Sequence, residues 1–252
     1  MGLLLLGLLA SPGGVAGADD QGGPVLVELF TSQGCSSCPP ADRLLARLGE
    51  ESDGAVVPLA FHIDSWNYLG WTDPFSSSAW TSRQAAYTRA LKATPYTPQV
   101  VVGGRVEVLG SDERAIREAV AAAAATPRGE LSLAVALAGS RLEVTVEVEL
   151  PEELRDRKLD LMVAVFESGL VTPVERGENG GHTMHNDYVV RRLERAGRVR
   201  PRDPARSSHS VSLKVADDWR RSELGVAAFL QEAGSLVVHG VAVQTFPESA
   251  GG

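Results

Sequence analysis

The run Cys-Ser-Ser-Cys-Pro-Pro at residues 35–40 decides the fold prediction, because it holds both cysteines of the 252-residue chain. It follows a strand-like apolar run, Val-Leu-Val-Glu-Leu-Phe at residues 25–30, and precedes a helix-like segment at residues 41–48. A Cys-x-x-Cys pair where a strand passes into a helix is a typical setting for a redox-active dithiol. The sequence therefore predicts thiol–disulfide chemistry at Cys35 and Cys38.

The segment around this pair alternates strands and helices. Further elements are predicted as a buried strand at residues 55–63, a helix at 78–92, a hairpin at 99–109 and a helix at 112–125. Continuous apolar runs predict buried strands, and a Gly-Gly pair suits the tight turn of the hairpin. The order β-α-β-α-β-β-α is that of a thioredoxin-like fold, which we predict for this part of the chain.

The pattern changes after the sequence Thr-Pro-Arg-Gly at residues 126–129, where helix gives way to short alternating strands. About seven such strands, mostly with short connections, are typical of a β-sandwich of immunoglobulin-like size. The predicted fold class is therefore α+β/α/β, with an N-terminal thioredoxin-like domain at residues 19–128 and a C-terminal β-sandwich domain at 129–252.

The N-terminus reads as a targeting segment. An apolar run at residues 3–10 precedes an Ala-Gly-Ala cleavage pattern at 16–18, so we predict a signal peptide at 1–18 and a secreted or periplasmic protein. No basic residue precedes the apolar run, and the alternative is a disordered or weakly buried N-terminus. No later segment is long and apolar enough for an integral membrane span in the mature chain. The net charge of −8 gives no basic face and argues against a nucleic-acid partner.

Four segments carry a resemblance to a known family, at residues 27–42, 61–71, 96–102 and 177–181. They resemble the signature of a family of bacterial secreted proteins, domain of unknown function number 1223, placed in the thioredoxin-like superfamily. The resemblance covers nearly the whole mature chain and implies a thioredoxin-like protein, but it implies no particular substrate.

The dithiol has a predicted division of labour. Cys35 lies near a helix N-terminus, whose partial positive charge lowers a thiol pKa, so we predict that it is the nucleophile. Cys38 would resolve the mixed disulfide. The resemblance implies that Pro98 is the cis-proline facing the dithiol and that Thr97 offers its backbone to a substrate; the alternative is a trans strand start. The two prolines after Cys38 predict that the helix starts at Pro39 with Cys38 as its cap.

Other side chains complete the predicted site. Trp66 and Trp71 would bind substrate in a groove beside the dithiol, or else pack against the edge of their own domain. A buried acid can accept the proton of the resolving cysteine in thioredoxin-like oxidoreductases, and Asp64 and Glu28 are the candidates. Each is equally open to interpretation as an exposed carboxylate at a strand end.

The predicted function is an exported thiol–disulfide oxidoreductase that acts on protein or small thiol substrates and uses no cofactor. The alternative is a non-catalytic envelope binding module or a copper or zinc carrier with a structural disulfide. His182 and His185 are the ligands that a metal site would add to the cysteines, although hydrogen-bonded loop histidines explain them better. They lie in the long segment 168–186, whose residues 177–181 we expect to cover the cysteines.

Overall fold

The computed structural model of the chain describes residues 23–246, so the predicted signal peptide lies outside the described residues. The first part of the described chain, from β1 to α3, contains three helices and four strands in the predicted order. Their bounds are β1 Val25–Thr31, α1 Pro39–Glu51, β2 Val56–His62, α2 Ser78–Leu91, β3 Gln99–Val102, β4 Val106–Leu109 and α3 Glu113–Ala124.

The second part of the described chain contains strands joined by turns and short helical turns. Their bounds are β5 Glu130–Ala138, β6 Arg141–Glu149, β7 Leu159–Glu167, β8 Leu170–Pro173, β9 Thr183–Asn186, β10 Val189–Val199, β11 Arg206–Lys214, β12 Leu224–Glu232 and β13 Val238–Thr245. The short β8–β9 hairpin has no counterpart among the predicted strands, because its exposed and polar residues give no apolar run.

Eight strands from both parts form one mixed sheet, in the order β13-β12-β7-β10-β2-β1-β3-β4. The predicted fold class, a thioredoxin-like α/β domain followed by a separate β-sandwich, was therefore wrong. Of residues 23–246, 43% lie in strands and 21% in helices, so this part of the chain is mostly β. A three-stranded sheet, β11-β6-β5, covers the part of the large sheet that holds β7 and β12. The division of the chain at residue 128 stays a prediction.

The two parts join because β2 leaves one edge open after pairing with β1. The start of β10 fills it: Val189 pairs in parallel with Ala60, and the Ala60 N–H donates to the carbonyl of Tyr188 at 2.8 Å. Side chains from both parts then share one apolar cluster, in which Phe61 lies with Phe166 and Phe229. Burying these aromatic rings together is the main favourable term that holds the parts in one sheet.

The two faces of the sheet carry different helices. Along β1, Val25, Val27 and Leu29 pack under α1 and α3, whereas Leu26 and Phe30 pack on the side of α2. This alternation follows from the two-residue period of a strand. Because β1 and β2 pair in register, with Leu29 opposite Ala60 and Thr31 opposite His62, Thr31 and His62 both face α1.

Candidate functional site

Cys35 and Cys38 form a disulfide at the start of α1, with their Cα atoms 5.5 Å apart. The turn after β1 positions them: the Cys35 N–H donates to the Ser32 carbonyl at 3.1 Å, and the Cys38 N–H to the Cys35 carbonyl at 3.2 Å. The helix starts at Pro39 with Cys38 as its N-cap, which confirms the prediction. Cys38 nevertheless keeps helical dihedral angles, φ −78° and ψ −35°, despite the proline that follows.

Both cysteines are buried. Cys35 is 1% exposed and Cys38 is 0% exposed. The two sulfurs differ in their surroundings, because Cys35 Sγ receives a hydrogen bond from the Thr97 hydroxyl at 3.3 Å and lies 3.4 Å from the Ser37 hydroxyl. A donor aimed at a sulfur stabilises its thiolate form. The arrangement favours negative charge on Cys35 rather than on Cys38.

The segment at Thr97 and Pro98 lies beside Cys35. The Thr97–Pro98 peptide bond is cis, as expected. The Trp66 indole N–H donates to the Thr97 hydroxyl oxygen at 2.9 Å. Two hydrogen bonds therefore link Trp66 to Cys35 through Thr97. The sequence analysis assigned these three residues, which come from separate segments of the chain, to the same site.

A cavity of about 240 Å³ opens beside this chain of hydrogen bonds. Its walls include the rings of Trp66, Tyr68 and Tyr96, together with Thr97. Tyr68 is 79% exposed, which is unusual for a large aromatic side chain in a folded protein. Trp71 lies elsewhere. Its indole N–H donates to the Gln33 side chain at 3.2 Å. It therefore supports the loop of residues 32–38 between β1 and α1, which we call the dithiol loop, and does not line the cavity.

The segment between β8 and β9 lies against the dithiol loop, as expected from its length. The Asn179 side-chain amide donates to the carbonyls of Gln33 and Cys35, both at 2.9 Å. The Glu178 carboxylate accepts from the Ser36 N–H at 3.0 Å. Gly177 has φ +76°, and a Cβ there would lie 3.2 Å from Cβ of Trp71, so glycine suits this close approach. We call residues 174–182 the covering loop.

Glu28 does not reach the cysteines. It is fully buried on the α2 face of the sheet, where its carboxylate accepts from Arg83 Nε at 2.7 Å and from the hydroxyl of Tyr87. The Arg83 guanidinium also donates to the side chain of Gln231 in β12 at 3.2 Å. Glu28 therefore belongs to a network that ties the two parts of the sheet together.

Asp64 also has another partner. Its carboxylate accepts from the hydroxyl of Thr81 in α2, and its backbone N–H donates to the same hydroxyl. These contacts pin the start of α2 to the end of β2, and no hydrogen bond joins Asp64 to the dithiol loop.

A different acidic group lies on the α1 face that carries Cys38, and sequence reasoning missed it. Asp42 follows Cys38 by four residues on α1, a spacing that places both on one helix face. Burial raises the pKa of Asp42 to about 6, although the nearby His62 imidazole and the Thr31 hydroxyl oppose the shift. Three side-chain atoms of this cluster are buried and have no hydrogen-bond partner among the described residues: Asp42 Oδ1, Thr31 Oγ1 and His62 Nε2.

A second carboxylate favours positive charge on His62. Its Nδ1 lies 2.7 Å from Asp73 Oδ2, and both side chains are 0% exposed. Burial alone would lower the pKa of His62, but the Asp73 carboxylate raises it above its ordinary value. The same Asp73 oxygen accepts from the Gln33 N–H at 2.8 Å, which connects the pair to the dithiol loop. The signal in the sequence was the Cys38–Asp42 spacing together with a histidine at the end of β2.

His182 and His185 lie on the covering loop and on β9, and both are exposed. Across residues 23–246, no three or more His, Cys, Asp or Glu side chains are grouped as a metal would need. In the same part of the chain, no helix is long and apolar enough to cross a membrane.

Comparison with known proteins identifies the family. The family model described as "Protein of unknown function (DUF1223)" matches residues 26–231. The chain belongs to the DUF1223 family. The predicted membership of the family of domain of unknown function 1223 is thus confirmed, and the match spans both parts of the large sheet. A search of curated proteins found no match.

Two solved structures are similar over most of the chain. A protein from Agrobacterium tumefaciens is 31% identical, with a TM-score of 0.71, and the alignment covers 91% of this chain and 97% of that one. HBP35 of Porphyromonas gingivalis is 15% identical, with a TM-score of 0.65 and coverage of 92% and 79%. At that identity the second likeness concerns the fold alone.

Proposed function

We propose that this DUF1223 protein is an exported thiol–disulfide oxidoreductase that uses the Cys35–Cys38 pair. The observation that carries the proposal is that the two sulfurs have different surroundings. Cys35 Sγ receives the Thr97 hydroxyl hydrogen bond. Cys38 lies on the α1 face that carries the half-buried Asp42, whose Oδ1 atom is buried without a hydrogen-bond partner among the described residues. A purely structural disulfide requires neither a donor on one sulfur nor a carboxylate behind the other.

The proposed reaction transfers two electrons. In the reduced protein, the Cys35 thiolate attacks a substrate disulfide; a Cys35–substrate bond forms and the other substrate sulfur leaves as a thiolate. Cys38 then loses its proton and attacks Cys35 Sγ, which releases the second substrate thiolate. The dithiol is oxidised to the disulfide seen in the structure, and the substrate disulfide is reduced to two thiols. The reverse sequence oxidises a substrate dithiol.

Asp42 is the proposed acceptor of the Cys38 proton, in place of Glu28 and Asp64. A carboxyl with a pKa of about 6 is ionised at neutral pH, yet it binds a proton more readily than an ordinary aspartate. The positive charge that Asp73 favours on His62 supports the ionised state of Asp42. Passing the proton to Asp42 would make Cys38 a thiolate only when it is needed for the second step.

The proposed substrate is an extended polypeptide or a small thiol held beside Thr97. The aromatic cavity lined by Trp66, Tyr68 and Tyr96 suits an apolar side chain near the reacting cysteine. Because Trp66 holds the Thr97 hydroxyl, a group bound in this cavity would also affect the hydrogen bond to Cys35.

The proposed location is outside the cytoplasm, secreted or periplasmic. Its support is the leader-like sequence at residues 1–18, together with a disulfide as the resting state, which an oxidising compartment maintains.

The burial of both sulfurs favours one competing function, a binding module with a static disulfide. The test is a mixed-disulfide trapping experiment on the mature protein. With a peptide disulfide as substrate, Cys38→Ser should accumulate a Cys35–peptide adduct and Cys35→Ser should not. Insulin reduction should fall to the uncatalysed rate in Cys35→Ser. If neither variant differs from wild type, and exchange stays at the level of a cysteine-free double variant, the enzyme proposal is wrong and the binding module is favoured.

A further inference from the structure

The covering loop brings a charged group to the dithiol. It projects from the β8–β9 hairpin, and its base is closed by hydrogen bonds between Val174 and His182 at 2.9 Å and between Gly181 and Val174 at 2.8 Å. From this base, Glu178 and Asn179 reach the dithiol loop. The segment is thus held in shape at its own base and makes polar contacts at its tip.

The two tip residues contribute differently. Asn179 is only 7% exposed, and its single amide satisfies the carbonyls of Gln33 and Cys35. Glu178 is exposed, and its carboxylate accepts from the Ser36 N–H directly after Cys35. Hydrogen bonds from the side chain and backbone of Ser36 lower the pKa of Glu178, so it is ionised at neutral pH. Asn179 anchors the loop, and Glu178 adds a negative charge.

That charge is bound to the N–H of Ser36, the residue directly after Cys35. N–H groups at the start of a helix stabilise an adjacent thiolate, but the N–H of Ser36 already serves the Glu178 carboxylate. A second negative charge on Cys35 would be repelled by the first. The other charged groups near the cysteines are Asp42, on the α1 face of Cys38, and the His62–Asp73 pair, whose Asp73 carboxylate accepts from the Gln33 N–H.

We infer that Glu178 and Asn179 form a charged lid, which disfavours the thiolate of Cys35 and loosens when the disulfide is reduced. The oxidised site carries no sulfur charge, so the lid is stable on it. Reduction permits a thiolate beside Glu178, and repulsion weakens the Glu178–Ser36 contact while uncovering the sulfur. The coupling is reciprocal, since a lid that binds the oxidised form better also stabilises the disulfide against reduction. This inference rests on the proposed redox role of Cys35.

The test is the pH dependence of iodoacetamide alkylation of Cys35 in the reduced protein, with Cys38 replaced by Ser in every sample. Glu178→Gln removes the charge but keeps a hydrogen-bond acceptor of the same shape. We expect the midpoint of its alkylation profile to fall by about half a unit to one unit, which is roughly three to ten times more thiolate at neutral pH. Glu175→Gln removes a matched exposed carboxylate from the same loop and should leave the midpoint unchanged.

A second readout follows the lid itself. Amide hydrogen exchange of residues 174–182 should be faster in the reduced two-cysteine protein than in the oxidised protein, and Glu178→Gln should reduce this difference. An unchanged midpoint in Glu178→Gln, an equal fall in Glu175→Gln, or equal exchange in both redox states would overturn the inference. These measurements need no substrate, so a failure of the lid and a failure of the proposed enzyme activity remain distinguishable.

Discussion

Two buried acidic clusters lie on opposite faces of the same sheet, and they are completed to different degrees. On the α2 face, both oxygens of Glu28 are used, by Arg83 and Tyr87, and the Arg83 guanidinium also lies over the rings of Phe61 and Phe229 at 5.3 and 5.6 Å. On the α1 face, Asp42 keeps a buried oxygen without a partner.

We interpret the difference as one between a structural cluster and a cluster that serves the proposed reaction. Buried polar atoms without partners cost stability, so folded proteins contain few of them. They are tolerated where a reaction uses them. The complete Glu28 network ties the parts of the sheet together, whereas the incomplete Asp42 cluster lies behind a disulfide.

The largest expected effect breaks the complete cluster. Glu28→Gln leaves the buried Arg83 without its carboxylate, and we expect the free energy of unfolding to fall by about 3–5 kcal/mol, as measured by urea denaturation of the oxidised protein. Glu149→Gln is the control, because Glu149 pairs with Arg206 on the surface and should cost less than about 1 kcal/mol. Equal losses in the two variants would mean that the Glu28 network stabilises the fold no more than a surface ion pair does.

The next effect concerns Asp42 and pH. Its pKa is raised from 3.8 to about 6 by burial, so the folded state binds the proton more tightly than the unfolded state. The free energy of unfolding therefore falls as pH rises from about 4 to 6, by up to about 3 kcal/mol from this group. The raised pKa of His62 adds a loss of stability at higher pH, in the same direction.

Asp42→Asn should remove the first of these losses. Urea denaturation at a series of pH values should give a curve that is flatter than the wild-type curve between pH 4 and 6, and disulfide exchange should be slower at neutral pH. Parallel stability curves for the two proteins would show that Asp42 is an ordinary carboxylate and would weaken its role as proton acceptor.

The smallest expected effect concerns the cavity beside Thr97. Trp66→Phe keeps a ring but loses the hydrogen bond to the Thr97 hydroxyl, worth about 1 kcal/mol, so we expect roughly a fivefold rise in KM for a peptide disulfide. Trp219→Phe alters a tryptophan that lies in another apolar cluster and should leave KM unchanged. A similar change in both variants would indicate loss of general stability and not of a substrate contact.

The sequence was a good guide to local structure. The spacing of apolar residues, the capping residues and the position of the prolines predict the three helices and the strands of the first part. They also predict the turn that holds Cys35. The contact of the covering loop with the dithiol was also expected. The helices, strands and turn depend on short-range pattern, which a single sequence carries directly. The loop contact was expected instead from the length of segment 168–186 and from the family resemblance.

The long-range arrangement was not accessible in the same way. The two parts join where Val189 meets Ala60, 129 positions earlier in the chain (189 minus 60); nothing in either apolar strand specifies that partner. The partners of Glu28 and Asp64 were hidden for a similar reason. Arg83 and Thr81 lie on α2, and side-chain pairing between a helix and a sheet leaves little trace in sequence.

The reduction potential of the Cys35–Cys38 pair, measured by equilibration of the mature protein with glutathione buffers, tests the central claim most directly. The account predicts a value above about −300 mV with rapid exchange, in the range of catalytic dithiols. A value far below about −300 mV, with slow thiol–disulfide exchange, would indicate a structural disulfide. It would contradict the proposal that Cys35, Cys38 and Asp42 carry out thiol–disulfide exchange.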